Sequence, residues 1–176
     1  DFIMSYKDNI KLVRVDDRLV HGQIVTKWVN ETKANKIVIV DQYLATNEYL
    51  SRVFKMAAPS NIDVSVMAPN DFVDMVKSQD LGDNRYIILF KLVDNLKKCF
   101  DAGFSVDEVQ IGGIGANADR KLVYQSVALS ELEAKELLAI QENHVRIFFQ
   151  RVPDEKPVSL DEIIKKHFNN LAWTRY

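Results

Sequence analysis

The chain has 176 residues, of which 23 are basic and 25 acidic, giving a formal net charge of -2. That balance excludes a protein that coats DNA or an anionic membrane through bulk charge, so no nucleic-acid partner is expected, while docking to other proteins stays open. The one cysteine, Cys99, excludes an internal disulfide, and no apolar run reaches the ~20 residues of a membrane span.

The length suits one domain, residues 1–176, able to bury a large core without covalent staples. Asp1 to Ile3 precede Met4 and read as a cloning remnant outside the fold. The first residues lack the basic, apolar and small-residue sections of a signal peptide, so a cytoplasmic location is expected.

In chain order, the first strand is expected at 10–15 (IKLVRV) and the next at 36–41 (KIVIVD), with 24–29 between them presenting Ile24, Val25, Trp28 and Val29 on one helical face. A second helix carries Leu50, Val53, Phe54 and Ala57 on one face and ends at Pro59. Strands follow at 62–67 (IDVSVM), 86–90 (YIILF), 106–112 (VDEVQIG) and 145–149 (VRIFF), several apolar almost throughout, as in parallel strands covered on both faces. Residues 121–129 (KLVYQSVAL) read as one further strand that follows without an intervening helix. Ser130 with Glu133 and Ser159 with Glu162 have capping-box spacing and mark two late helices. The alternation predicts an α/β fold: one domain built on an open, mostly parallel sheet with helices on both faces. In the tail 171–176, Trp173 and Tyr176 suit packing or a partner contact.

The chemistry concentrates in VRVDDRLVHGQIV, residues 13–25. Beyond the carboxyl end of a first parallel strand, residues 16–22 would lie on the rim where such sheets collect ligands. His21 can act as a neutral nucleophile toward phosphorus, and Arg18 offers a permanently charged planar fork for phosphate oxygens. Gly22 removes bulk beside the ring, and the amides opening the next helix can face an anion. Asp16 or Asp17 can hold the arginine or fix the imidazole tautomer. The bland alternative is a noncatalytic interaction module. A lone histidine at a helix start is more often a cap or surface group, and an exposed Asp–Arg pair contributes little.

Other residues carry less. GGIGAN (112–117) lacks the spacing of a dinucleotide loop and reads as a turn on the same rim, bordering the His21 loop. His144 and His167 have no ligand partner at metal spacing, and Cys99 reads as a core-facing helix residue. Lys33, Lys36, Lys97, Lys98, Lys165 and Lys166 read as solvated faces.

DDRLVHGQ (16–23) with Trp28, the IVIVD strand, KMAAPSNIDVSVM (55–67), ILFK, QIGGI (110–114) and RVPDEKPVSL (151–160), in that order, resemble the mannose, fructose and sorbose family of phosphotransferase-system IIB subunits. The resemblance implies a phosphocarrier. His21 would accept a phosphoryl group from a phosphohistidine on a IIA domain and pass it to a sugar held by the membrane-embedded IIC and IID subunits. Arg18 would hold the phosphoryl oxygens, and Asp16, Asp17, Gly22 and Gln23 would complete the loop. No metal or organic cofactor is implied, membrane contact comes only through IIC and IID, and a homodimer is the family expectation. Mannose, fructose, sorbose and amino sugars all stay open, because the transporter subunits choose the sugar. Gln42 and Tyr43 depart from the acidic or small residues common after that strand in the family. A receiver-like regulatory domain is the rival: Asp16, Asp17, Asp41 and Lys91 would form its acidic pocket, with phosphate on an aspartate and Mg²⁺ required.

Overall fold

The structure, a computed structural model, describes residues 5–172, so Trp173 and Tyr176 lie outside the described residues. Its strands are β1 (Ile10–Asp16), β2 (Lys36–Val40), β3 (Asp63–Met67), β4 (Tyr86–Phe90), β5 (Glu108–Gly113), β6 (Lys121–Tyr124), β7 (Val127–Leu129), β8 (Arg146–Phe149) and β9 (Val158–Ser159). A π-helical turn (Ile24–Trp28) runs into α1 (Val29–Thr32), followed by α2 (Glu48–Ala57), α3 (Pro69–Ser78), α4 (Val93–Asp101), α5 (Glu131–Gln141), α6 (Leu160–His167) and α7 (Asn169–Ala172). Among the described residues, no helix is long and apolar enough to cross a membrane.

Seven strands form one sheet in the order β3-β2-β4-β1-β5-β8-β9, every pairing parallel except that of β8 with β9. β4 lies near the centre and is buried at every position, which explains its unbroken apolar run. Alternate side chains serve opposite layers. Val13, Val15, Ile88, Phe90 and Ile111 pack with α3, α4, α5 and α6, while Ile37, Ile39, Ile87 and Leu89 pack with Ile24 and Trp28 and with Leu50 and Phe54 of α2. Helices therefore cover both faces, as the alternation predicts.

Local signals explain most helix ends. Ser130 and Glu133 form the complete reciprocal capping box of α5. At α6 the Ser159 hydroxyl accepts from the Glu162 N–H at 3.2 Å. α2 stops at Ala57 because Ala58, next to Pro59, is extended.

Two expectations are corrected, and one short strand was not anticipated. Residues 121–129 are not one strand but the antiparallel hairpin β6–β7, in a small sheet of its own. The polar pair Gln125 and Ser126 makes the turn, held by the Ser126 hydroxyl donating to the Gly112 carbonyl at 2.8 Å. β9 is too short for a periodicity signal. The face expected for α2 turns inward only at Leu50 and Phe54, and Val53 is 43% exposed. α2 lies over the β2–β3 edge of the sheet, where little remains to pack against.

Candidate active site

β1 places Arg14 and Asp16 two residues apart, hence on one face of the sheet, and both side chains are fully buried. A register shift against β5 between Val15 and Asp16 sets Asp16 beside Gly113 at the strand's end. The Arg14 guanidinium lies 5.6 Å from the Trp28 ring centroid. Its Nε and Nη2 donate to Asp16 Oδ2 at 3.2 and 3.1 Å, and its Nη1 donates to Gln110 Oε1 and, at 3.0 Å, to the Gln150 carbonyl.

The loop then folds back over this floor. Arg18 grips the same carboxylate as a fork, Nε to Oδ1 at 3.0 Å and Nη2 to Oδ2 at 2.9 Å, and its backbone N–H reaches Oδ1 at 3.1 Å. Leu19 adopts a left-handed φ of 57° yet is only 1% exposed, so an apolar anchor holds the turn in a conformation that leucine disfavours. His21 Nε2 lies 3.1 Å from Asp16 Oδ2. An ionised carboxylate only accepts, so Nε2 carries the proton and the lone pair is on Nδ1, to which no described residue bonds. The Arg18 side chain stays 44% exposed and that of His21 18% exposed, over an Asp16 that water does not reach.

Burial alone would raise the Asp16 pKa. The hydrogen bonds from His21 and Arg18 and the charge of Arg14 outweigh it and hold the carboxyl far below the usual range. The Asp16 bond in turn raises Arg18, whereas burial lowers Arg14 despite Asp16.

Asp17 faces the neighbouring turn. Its N–H donates to the Gly113 carbonyl at 3.0 Å and its Oδ2 accepts from the Gly115 N–H at 2.7 Å, so the GGIGAN turn borders the His21 loop. Gly22 is exposed, and a Cβ there would meet nothing within 4 Å, so among the described residues no contact demands a glycine. Gln23 Oε1 is buried without a partner among the described residues. A further rim segment follows β8. Trp28 Nε1 donates to the Arg151 carbonyl at 2.9 Å, and Arg151 pairs with Glu155 at 2.8 Å. The Arg151 bond, against a smaller opposing effect of burial, draws Glu155 down to about 2.

Residues the loop motif did not flag complete the site: Arg14, Gln110, Gln150, Gly112 and Trp28. The available signal was polar side chains inside otherwise apolar buried strands, Arg14 within IKLVRV and Gln110 within VDEVQIG. Gly112 is required by close approach, since a Cβ there would overlap the Arg14 guanidinium. Gly112→Ala is expected to cost about 1–3 kcal/mol through overpacking, read as a lower urea midpoint. An unchanged midpoint would mean that the guanidinium moves aside freely.

The remaining candidates stay apart. Asp41 is 3% exposed and its carboxylate caps its own turn, accepting from the Leu44 N–H at 2.9 Å, so it is committed to structure and not to a receiver pocket. Cys99 is fully buried in α4, and burial pushes its thiol up to about 12. His144 sits in an exposed left-handed turn after α5, and His167 closes α6. Lys97 and Lys98 pair with Asp101 and Asp94 along the α4 surface.

A buried carboxylate that orients an imidazole beside a guanidinium, at the rim of a doubly covered parallel sheet, is chemistry suited to handling a phosphoryl group by position and charge. The family model described as "PTS system sorbose subfamily IIB component" matches residues 10–173, and the chain belongs to that family. Members accept a phosphoryl group from a IIA component and pass it to the sugar, working with membrane IIC and IID components. The chain is 25% identical over 157 residues to the fructose-specific EIIB component of Bacillus subtilis strain 168, covering 89% of this chain and 96% of that protein. It is 21% identical over 157 residues to the mannose-specific EIIAB component of Escherichia coli K12, covering 89% of this chain and 49% of that longer protein. Among solved structures, manxB from Thermoanaerobacter tengcongensis superposes with a TM-score of 0.83 at 33% identity, covering 90% of this chain and 96% of that one. The IIBSor domain of the Klebsiella pneumoniae sorbose permease shares the fold, with a TM-score of 0.84 at 23% identity, over 90% of this chain and 98% of that one.

Proposed function

We propose that His21 is the phosphoryl carrier of this IIB component, that Nδ1 is the atom that carries the group, and that Arg18 holds the transferring oxygens. The observation that carries this reading is the His21 Nε2–Asp16 bond of 3.1 Å, which leaves the Nδ1 lone pair as the nucleophile of a ring that is 18% exposed. In the first transfer the Nδ1 lone pair forms the new N–P bond as the N–P bond of a IIA phosphohistidine breaks, its electron pair returning to the donor ring. The His21 ring gains positive charge, and Asp16 stabilises the imidazolium through Nε2–H. In the second transfer a sugar hydroxyl oxygen bonds phosphorus, the His21 N–P bond breaks, and the hydroxyl proton passes to a base at the acceptor. A ring kept cationic is a good leaving group. Both transfers rely on positioning and charge, with no covalent machinery beyond the ring. Gly22 keeps the approach to the ring open, Asp17 and the Gly115 turn brace the loop, and Gln23 completes it. The chain works in the cytoplasm. The sugar is one of those named for its relatives, selected by IIC and IID.

The test is phosphorylation of the full chain by phosphoenolpyruvate, the general phosphotransferase proteins and an active IIA, followed by intact mass and nitrogen-15 NMR of the histidine rings. One acid-labile, alkali-stable adduct on His21 Nδ1 is expected. A hydroxylamine-cleaved adduct would place the phosphate on an aspartate, and no adduct from a IIA that phosphorylates another IIB would make the loop structural.

A further inference from the structure

We propose that Arg14 is a positioning residue that sets the charge of the site: it neutralises Asp16 from beneath, so that Arg18 keeps a positive charge for the phosphoryl group while Asp16 holds the His21 ring. The inference rests on His21 being the carrier. Arg14 cannot touch the phosphoryl group itself, because its side chain is fully buried and lies against Trp28.

The charges require a second cation. Arg18 and Asp16 cancel each other, which leaves the Asp17 carboxylate beside them without a balancing cation. Around His21, Arg14, Arg18 and Arg151 stand against Asp16, Asp17 and Glu155, the nearby charges that bear on Arg14 and Arg18. Positive and negative groups match in number; without Arg14 the site would meet a phosphoryl dianion with a net negative charge.

The other Arg14 partners are neutral. Gln110 Oε1 and the Gln150 carbonyl accept its Nη1, and Gln110 Nε2 donates to Gln150 Oε1 at 3.1 Å. The Gln110 amide braced by Gln150, the Gln150 carbonyl and a bare Gly112 therefore build a slot that holds a guanidinium without cancelling its charge. Stability gives little reason for that choice, since a buried ion pair is often no better than an apolar pair of similar volume.

Gln110→Glu tests the point with almost no change of shape. It sets a carboxylate against Arg14 and cancels the cation that balances Asp16. Phosphoryl exchange with a phosphorylated IIA, followed by phosphorus NMR, is expected to shift toward the donor by about tenfold, the scale of one added charge at close range. Thermal unfolding checks that the variant is folded. Arg14→Met should shift the equilibrium in the same direction, and Arg14→Lys should recover part of that shift because it restores charge without the fork. An unchanged equilibrium in folded Gln110→Glu would overturn the proposal, as would Arg14→Lys shifting as far as Arg14→Met. A wild-type chain that takes no phosphoryl group would instead overturn the His21 assignment, and the inference with it.

Discussion

His21→Ala is expected to abolish the phosphoryl adduct completely and to leave the fold nearly as stable as before. Asp16 loses one hydrogen bond and keeps those from Arg14 and Arg18, so the stability change should stay within about 1.5 kcal/mol. The other candidate nucleophiles cannot stand in. Cys99 is fully buried with its thiol pushed up to about 12. His144 lies in the turn after α5 and His167 at the end of α6, both outside the Asp16–Gln23 loop. Intact mass after incubation with a phosphorylated IIA reads the adduct, and a urea titration reads the fold. An adduct that persists in the folded variant would place the carrier elsewhere.

Asp16→Asn is expected to damage both stability and transfer, because it strips the charge from a group that holds two arginines and a histidine. Removing one partner of a buried pair leaves Arg14 uncompensated in the interior, a loss of about 3–5 kcal/mol. The amide also stops selecting the Nε2–H tautomer, so less of the ring presents Nδ1 as a lone pair, and the transfer rate should fall by about a hundredfold or more. The stability gap has a defined pH dependence. Asp16 is held far below its ordinary value in the folded chain, so its ionisation stabilises the fold above the unfolded aspartate value, about 4. That contribution is lost as the pH falls from there toward the folded value. Urea titrations at pH 7 and pH 3 should therefore show a gap between wild type and variant that is full at neutrality and narrower in acid. Glu155, at about 2, is common to both chains and cancels in the difference. A gap independent of pH would mean that the Asp16 charge is not what the fold depends on.

The sequence carried the order of elements well because buried parallel strands and amphipathic helices leave different periods, and Pro59, Ser130 and Ser159 punctuate them with local chemistry. Features that depend on distant partners leave no such local mark. Residues 121–129 look like one strand because Gln125 and Ser126 are a weak turn signal, and the bond that fixes the turn runs from the Ser126 hydroxyl to the distant Gly112 carbonyl. The exposed side of α2 follows from its place at a sheet edge, which no helical period encodes. The loop from Asp16 to Gln23 was legible as chemistry, since it is contiguous. Its floor was not, because Arg14 meets Gln110 and Gln150 only once β5 is seated beside β1 and β8 beside β5.

The bond between His21 Nε2 and Asp16 also bears on how the carrier turns over. A ring with one nitrogen committed to the interior has a single nitrogen to offer, and donor and acceptor must reach it from the same side. Under the assignment proposed, the two partners exclude each other, so the cycle is a strict alternation of visits and never a three-body relay. Unphosphorylated IIA then competes with the transporter for the loaded chain, and flux into the sugar passes through an optimum as IIA becomes more abundant.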